Sequence, residues 1–338
     1  MNLKPEATKE RDVSEIKTQK ITFKVFRFNS ETDYLPNYID YELEVTHEEV
    51  VLDILNRIKW GMDGSLSYRR SCRHGICGIC SVKVAGKAIL ACKENVLSLV
   101  AAFGTELVIE PLSIKRAMKD LIIDKGDFWS KHDQIKPYLI SEIEEYPETE
   151  NLVTPQQAEA LNEADYCIQC GACHYSCPAL EINEQFIGPA AFAKAFRFEA
   201  DVRDEAGNER LNIINAPEEG VWDCVKCMEC AEVCPKDVNP IEKITQLHNM
   251  VFSAGVAKNN IATRHAVYFK DSIAKHGQLN EAGLVIYSEK GYGMYKHLKV
   301  GARMIAKGKA HINPFIVPKS DKMDEIAKLV KSSSSAKF

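Results

Sequence analysis

Alternating hydrophobic and polar positions predict β-structure near the start of the chain. The stretch ITFKVFRF, from Ile21, alternates as a strand does, and YELEV at 41–45 has the pattern of its hairpin partner. The apolar positions of VVLDILNRIKW, at 50–60, recur at helical spacing instead. A second hairpin is predicted over SVKVAGKAILAC, with its turn at Ala85-Gly86, followed by a last strand, LVIEPL. This part of the chain is therefore predicted to fold as strands around one helix.

The pattern changes after Ser113. From there to about Met250 the sequence favours helix and loop, including a helix over Asp120 to Lys131 and an exposed acidic connection, SEIEEYPETE. The mixed-charge start of the chain predicts a flexible arm. The predicted organisation is an arm at 1–20, a first domain at 21–113, a helical domain at 114–250 and an extension at 251–338.

The C-terminal extension differs from the rest of the chain in charge. It carries 15 Lys or Arg and 6 Asp or Glu, a net charge of +9, which leaves −14 for the preceding 250 residues of a chain whose net charge is −5. An apolar helical face is predicted from the spacing of Met294, Leu298, Gly301 and Ile305, and a basic face lies opposite: Lys296, Lys299, Arg303 and Lys307. Such a helix could pack on its own domain, dock on a partner subunit, or lie on an anionic membrane surface.

Several functional classes are disfavoured by composition and motif. The longest nearly apolar stretch, Val96 to Ile109, is shorter than the ~20 residues that span a bilayer, so we expect no membrane crossing. We also expect no secretory signal, because the N-terminus lacks an apolar segment. Nucleotide-binding motifs are absent from the sequence, no set of nucleophile, acid and base is apparent, and a pI near 6.0 argues against nucleic-acid binding. We therefore predict no catalytic residue on this chain.

All twelve cysteines fall in three runs of four. The first run has the C-x4-C-x2-C…C spacing of a plant-type [2Fe–2S] centre, and its members are Cys72, Cys77, Cys80 and Cys92. The second and third runs are both C-x2-C-x2-C-x3-C followed by proline, which is the spacing of bacterial ferredoxins. They begin at Cys167 and Cys224, 57 positions apart, so the helical domain is predicted to contain an internal duplication.

The ligand grouping follows from a rule for two-cluster ferredoxins, in which the cysteine before the proline ligates the other cluster. One [4Fe–4S] cluster is then predicted to take Cys167, Cys170, Cys173 and Cys234. The other takes Cys177, Cys224, Cys227 and Cys230. Because thiolates must lose their protons and be brought together, cluster assembly and folding should be coupled. The predicted fold class is α+β: an N-terminal β-grasp [2Fe–2S] ferredoxin domain, an all-α two-cluster ferredoxin domain and a basic helical C-terminal extension.

The spacing of the cysteines disfavours disulfide, zinc and histidine-ligated sites. Disulfides are disfavoured because the tight runs hold sulfurs too close together for a simple framework, and zinc sites prefer two pairs to runs of four closed by proline. His74 and His174 lie within the cysteine runs, but no cysteine is missing, so ligation by histidine is not expected. They could tune a cluster by hydrogen bonding, or simply pack or lie at the surface.

Three segments carry a resemblance to a known family. SCRHGICGIC, FIGPAAFAKAFRF (186–198) and CAEVCPKDVNP (230–240) are similar to motifs of the iron–sulfur subunits of succinate dehydrogenases and fumarate reductases. The resemblance covers about residues 21–250. It implies a role as the electron-transfer subunit beside a flavoprotein (FAD) catalytic subunit and a quinone-side membrane-associated subunit, in a heterotrimer.

Two departures point to a particular branch of that family. Better-known members lack a cysteine at the position of Cys227 and hold a [3Fe–4S] cluster, whereas this chain supplies a fourth ligand and predicts [4Fe–4S]. They also carry two tryptophans where this chain has Ala179-Leu180-Glu181-Ile182. Both features resemble the non-classical branch with methylmenaquinol:fumarate reductases, which implies a cysteine-rich quinone-side partner.

The resemblance also has implications for the direction of the reaction and for the cellular location of the complex. It favours fumarate reduction with methylmenaquinol as donor, with succinate oxidation as the alternative and a free-standing ferredoxin-like carrier as a more distant one. Location is expected to be peripheral on the cell membrane within a complex. The periplasmic face, by co-export with a signal-bearing partner, is favoured over the cytoplasmic face.

Overall fold

The computed structural model describes residues 18–141, 149–217, 219–257, 259–290, 292–309 and 317–335, except for the side chains at 292–294 and 333–335. The predicted arm at 1–20 and the acidic connection lie largely outside the described residues. The described residues fall into two compact units: a first unit within Met1–Glu205 and Val225–Ile244, and a second unit within Ala206–Cys224 and Thr245–Phe338. The domain boundaries predicted from the sequence stay predictions.

A five-stranded mixed sheet forms the N-terminal part of the first unit. Its strands, in chain order, are β1 (Gln19–Arg27), β2 (Asn37–Val45), β3 (Ser81–Val84), β4 (Lys87–Leu90) and β5 (Glu106–Glu110). The spatial order is β2-β1-β5-β3-β4, with β1 and β5 parallel and each outer pair an antiparallel hairpin. The two predicted hairpins are confirmed, and Ala85 and Gly86 form the turn between β3 and β4 with φ of 49° and 82°.

The predicted helix is α1 (Val51–Gly61), and it packs its apolar stripe on this sheet. Ile54, Leu55 and Ile58 are fully buried in a core that also includes Phe23 of β1. Burial of each such side chain contributes roughly 2 kcal/mol to folding. A second helix, α2 (Val96–Phe103), precedes β5. A sheet wrapped on one helix, followed by a helical part, confirms the predicted α+β class.

A hairpin replaces the first half of the helix predicted from Asp120. The chain forms β6 (Ala117–Lys119) and β7 (Ile122–Ile123), and helix α3 (Gly126–Gln134) begins only after them. Asp120 occupies the turn at φ 49° and is buried. Its carboxylate accepts hydrogen bonds from the N–H groups of Phe28 at 3.2 Å and Ser67 at 2.8 Å, and from Arg27 Nε at 3.0 Å. These distant donors, which helical spacing does not reveal, explain why that part of the prediction is wrong.

The remaining described elements are helices. They are α4 (Pro155–Glu159), α5 (Ala172–Tyr175), α6 (Pro178–Ile182), α7 (Pro189–Glu199), α8 (Glu209–Ile214), α9 (Glu229–Glu232), α10 (Pro240–Ser253), α11 (Ile261–His276), α12 (Glu281–Glu289), α13 (Tyr292–Ala306) and α14 (Met323–Ser335). The internal duplication appears in local structure, because α5 and α9 are 57 positions apart. The short 3-10 helices Ala164–Tyr166 and Val221–Asp223 repeat at the same interval.

The second unit has its own packed centre. Trp222 stacks on His248 at a ring-centroid distance of 4.7 Å, and its indole N–H donates to Asn215 Oδ1 at 2.6 Å. The amphipathic helix predicted in the extension corresponds to α13. Side chains 295–300 are all exposed, and Leu298 is 55% exposed. Of the apolar positions predicted for one face of this helix, Leu298 and Ile305 are exposed.

Within the first unit, the first cysteine loop packs directly on the second. Gly78 has φ 68°, and a Cβ atom built on it would lie 2.8 Å from Cys170 Cβ and 2.9 Å from Cys170 Cα. Only glycine permits this approach, since the conformation is left-handed and the space is filled by backbone. The N-terminal core accordingly continues into Cys170, Ala172 and Val233.

Replacement of Gly78 should separate these loops. We expect Gly78→Ala to lower the free energy of unfolding by about 3 kcal/mol, because left-handed strain and overpacking act together. Gly86→Ala is the matched control, since Gly86 has φ 82° and open space around it. That variant should lose about 1 kcal/mol from strain alone. Thermal unfolding of both variants measures the difference, and equal losses would contradict a steric role for Gly78.

His132 is a buried polar residue of α3. It is 2% exposed, and neither ring nitrogen has a hydrogen-bond partner among the described residues. Its ring packs on Phe128 at 4.5 Å and Trp129 at 5.8 Å. Burial lowers the pKa of His132 to about 4, because the charged ring would lose its hydration.

This pKa predicts acid sensitivity. As pH falls below ~6.5, His132 becomes protonated in the unfolded chain but stays neutral in the folded chain. Stability is therefore lost progressively down to about pH 4. His132→Phe should not show this loss. Its free energy of unfolding, relative to that of wild type, should therefore rise by about 1 kcal/mol when the pH is lowered from 7.5 to 5.5. Thermal midpoints at the two pH values test this, with the exposed His47→Gln as control. A gap between His132→Phe and wild type that does not widen at pH 5.5 would contradict the prediction.

Candidate metal centres

The first cysteine loop turns backbone N–H groups toward sulfur atoms. Arg73, Gly75 and Gly78 adopt left-handed conformations, which fold the loop back on itself. The N–H of Gly75 donates to Cys92 Sγ at 3.2 Å, and those of Ile76 and Cys77 donate to Cys72 Sγ at 3.4 Å. Cys77 is close enough to interact with Cys72, and Cys80 is close enough to interact with Cys77 and Cys92, so the structure brings the four cysteines of the first run near one another.

The sulfurs of this loop lie in contrasting environments. Backbone N–H groups, chiefly that of His74, lower the pKa of Cys72 to about 6, because they stabilise the thiolate. Burial raises the pKa of Cys80 to about 12. Cys77 is exposed, whereas Cys80 and Cys92 are buried. One side of the loop therefore faces solvent and the other faces the protein.

A cavity in the helical part of the first unit is lined by four cysteines. They are Cys167, Cys170, Cys173 and Cys234, which form the central group. Most of the other lining residues are apolar, including Ala190 and Ala193 from α7, and Gln169 and Lys236 also line the cavity. The N–H of Val238 donates to Cys234 Sγ at 3.4 Å. The cavity brings three neighbouring cysteines together with the one before Pro235, and their use as ligands of one cluster stays a prediction.

The donor set of the central group suits a cationic iron centre. Burial raises the pKa of Cys167 and Cys170, and raises that of Cys173 well above its ordinary value. Mutual repulsion of the thiolates adds to the effect. Ionised sulfur is unfavourable here without a neighbouring positive charge, so metal binding and loss of the thiol protons must occur together.

The third set of cysteines is divided between the two units. Cys177, Cys227 and Cys230 belong to the first unit, and Cys224 belongs to the second, where it follows the 3-10 helix Val221–Asp223. Cys177 is close enough to Cys227 for their charges to interact, and Cys230 is similarly close to Cys173 of the central group. The three members in the first unit thus lie near the central group.

Duplicated loops share a backbone conformation but differ in exposure. Gln169 and Lys226 both have φ 54°, and the left-handed Gly171 corresponds to Met228 at φ 69°. Cys227 is exposed, with Met228 54% exposed beside it. The first run shows the same feature, since Ile76 and Ile79 are exposed beside Cys77. No cysteine of the central group is exposed.

The two histidines have structural contacts. His74 is exposed, and its Nδ1 contacts the carbonyl of Cys72. His174 is buried, with Nε2 3.3 Å from Asp127 Oδ2, and packs edge-on against Phe128. Packing and surface roles therefore account for both rings.

Three lysines near the cysteine loops were not singled out by the sequence. Lys93 Nζ donates to the carbonyl of Pro235 at 3.2 Å, Lys83 Nζ to that of Tyr175 at 3.3 Å, and Lys125 Nζ to that of Cys170 at 3.1 Å. All come from the N-terminal part of the first unit. Their partners are brought together only by folding, so no sequence motif marks them.

Two negative findings apply to the described part of the chain. No three side chains of His, Cys, Asp or Glu converge as the ligands of a single metal ion do. The thiolates of an iron–sulfur cluster are instead distributed around a larger core. In the same residues, no helix combines the length and the apolar character needed to cross a bilayer.

Known domain families match both cysteine-bearing regions. Residues 22–130 match the family described as a 2Fe-2S iron-sulfur cluster binding domain, and residues 163–238 match a 4Fe-4S dicluster domain. The Mycobacterium smegmatis Sdh1 complex in the apo form contains a chain of similar fold, with a TM-score of 0.58 and 24% identity over 70% of this chain and 97% of that one.

Sequence relatives extend the match to whole subunits. The fumarate reductase iron-sulfur subunit of Haemophilus influenzae is 36% identical, over 66% of this chain and 89% of the relative. The succinate dehydrogenase iron-sulfur subunit of Coxiella burnetii is 35% identical, over 67% of this chain and 95% of the relative. This chain therefore belongs to the family of iron–sulfur subunits of fumarate reductases and succinate dehydrogenases, the electron-transfer subunits of these oxidoreductases.

Proposed function

We propose that the chain carries electrons between a flavoprotein subunit and a quinone-side subunit of a fumarate reductase. The observation that supports this most directly is the arrangement of its cysteine loops. Exposed cysteines occur in the first loop, at Cys77, and in the third, at Cys227, whereas the central group between them has none. Gly78 contacts Cys170, and Cys230 neighbours Cys173, so each end lies next to the centre. Such a series suits the entry of electrons at one end and their exit at the other.

The proposed ligands follow the cysteine groups. The first run would hold [2Fe–2S], the central group would hold one [4Fe–4S] cluster, and a second [4Fe–4S] cluster would be held by Cys177, Cys224, Cys227 and Cys230. When bound, these clusters supply one-electron carriers whose potentials depend on charge, hydrogen bonding and exposure. The chain positions them, donates N–H groups to the sulfurs of Cys72 and Cys234, and encloses the central group in a mainly apolar cavity.

The third cluster distinguishes a non-classical enzyme from the better-known members. Cys227 lies beside Cys177, which supports its use as a fourth ligand. The segment after Cys177 forms α6 with Leu180 and Glu181, and Ile182 is 86% exposed. This segment offers no tryptophan to a quinone, so we place quinone binding on a cysteine-rich partner.

The direction proposed is fumarate reduction with methylmenaquinol as electron donor. The reason is that a [4Fe–4S] centre in the third position usually has a lower reduction potential than a [3Fe–4S] centre, which suits a low-potential quinol. The same subunit in a succinate dehydrogenase is the alternative, since relatives of both kinds match. A free-standing carrier is less suited to a chain with two exposed apolar loop ends. We propose a heterotrimer peripheral to the cell membrane, on the periplasmic face by co-export with a signal-bearing partner.

The cluster assignment predicts about ten irons per chain, from one two-iron and two four-iron centres, and no stoichiometric zinc. Anaerobically purified complex should show no native [3Fe–4S] signal by EPR when oxidised. Cys227→Ser should gain that signal or lose the third cluster, because one thiolate is removed. Met228→Ser, an exposed neighbour in the same loop, should leave the spectrum unchanged. An unchanged spectrum in Cys227→Ser would contradict the fourth ligand.

Purification of the complex from its native membrane tests the function itself. A flavoprotein and a cysteine-rich quinone-side protein should remain bound to this chain. The complex should reduce fumarate with a reduced low-potential naphthoquinol faster than it oxidises succinate with the corresponding quinone. Faster succinate oxidation would support the alternative direction. Recovery of this chain alone, with all its iron and full solubility, would support the free-standing carrier.

A further inference from the structure

The ammonium of Lys125 occupies an unusual position beside the central cysteine group. Its Nζ donates to the carbonyl oxygens of Gln169 and Cys170, both at 3.1 Å. The left-handed conformations of Gln169 and Gly171 keep these carbonyls out of regular helix, so they need a donor from elsewhere. Lys125, which immediately precedes α3, supplies it.

Aromatic rings enclose the same ammonium. Phe128 lies with its ring centroid 4.6 Å from Nζ, and Trp129 lies at 5.6 Å. Two ring faces and two carbonyls therefore surround the ammonium, and the Lys125 side chain is half-buried. Charge interactions are stronger in such surroundings than at an open surface.

No carboxylate among the described residues forms an ion pair with Lys125. The neighbouring acids are engaged elsewhere: Asp124 accepts from the N–H of Gly126, and Asp127 pairs with Arg116 and His174. Charges withdrawn from water are normally compensated by an opposite charge. The loop that Lys125 holds includes Cys170, one of the four thiols that would be ionised when a cluster is bound, so a cluster in this cavity would bring negative charge close to the ammonium.

We propose that Lys125 is the counter-charge of the cluster held by the central group, and that it raises the reduction potential of that cluster. This inference rests on the proposed ligand set of Cys167, Cys170, Cys173 and Cys234. A cluster bound by four thiolates becomes more negative when it accepts an electron, so a fixed cation stabilises the reduced form more than the oxidised form. Lys125 also positions the loop through its two carbonyl contacts.

Lys125 is held at the cysteine loop by two hydrogen bonds. Lys194, which also interacts with Cys167, instead contacts the ring of Phe198 at 5.8 Å. The duplicated loop is more open, since Cys227 and Met228 are exposed. Lys125 thus makes the two [4Fe–4S] environments unequal although their backbones repeat.

Redox titration of the intact complex, with each cluster followed by EPR, tests the proposal. Lys125→Met should shift the midpoint potential of the central cluster to a more negative value and leave the other two near their wild-type values. Lys125→Arg retains the charge and should restore most of the potential. Lys59→Met is the matched control, because Lys59 Nζ likewise donates to two carbonyls, those of Gly64 at 3.0 Å and Leu66 at 2.6 Å, but in a segment without cysteine.

Three results would overturn the role of Lys125 as a counter-charge. They are an unshifted central potential in Lys125→Met, an equal shift in Lys125→Arg, and an equal shift in Lys59→Met. Should Lys125→Met lose the cluster, Lys125→Gln keeps one N–H donor without the charge and is titrated in the same way. Loss of the cluster in both neutral variants would assign the residue to loop structure alone and contradict the electrostatic role.

Iron and sulfide analysis of the same samples separates this inference from the proposed function. A wild-type complex that lacks the central cluster would contradict the ligand set itself. A central cluster that is present in full, with a potential unaffected by the loss of the lysine charge, would contradict only the inference about Lys125.

Discussion

Enclosure of ionisable sulfur in a mainly apolar cavity is the constraint on which the first unit depends. Burial raises the pKa of Cys167, Cys170 and Cys173, so the folded chain disfavours their thiolates unless a positive charge is present. Iron would supply most of that charge, and the structure provides further compensation through N–H groups and lysines. The fold therefore stabilises thiolates away from water only when iron is bound, and iron is bound only when the fold brings the thiolates together.

The same constraint explains why loop contacts are so close. A loop whose N–H groups face sulfur must turn its carbonyls outward, and these need partners when other segments cover them. Lys83, Lys93 and Lys125 meet that need from the N-terminal part, and Gly78 allows the backbones to touch. The duplicated loops therefore lie in two different environments. The loop that contains Cys170 is covered and hydrogen-bonded by other segments, whereas its copy at 224–230 has exposed residues.

Much of this could be predicted from the sequence, because the strongest signals are local. Hairpins, helix α1 and the cysteine runs each depend on spacing within a few residues. The predicted duplication, with its offset of 57 positions, is seen again in the matching helices α5 and α9. Long-range contacts could not be predicted from the sequence. Asp120 forms a turn because Arg27 and Ser67 donate to it from distant positions, and Lys125 contacts a loop more than 40 positions away. Charged residues in such roles have no periodicity that distinguishes them from surface residues.

Exposure at the two ends of the series bears on whether this chain acts alone. Ile76 and Ile79 flank Cys77, and Val225 and Met228 flank Cys227, so apolar side chains face solvent beside a cysteine that would bind iron. Exposed apolar residues grouped at a functional loop are typical of surfaces that partners cover. A partner at each loop would both exclude water from the end cluster and bring its own redox group within reach. The chain is therefore better suited to a fixed place between two subunits than to diffusion between them.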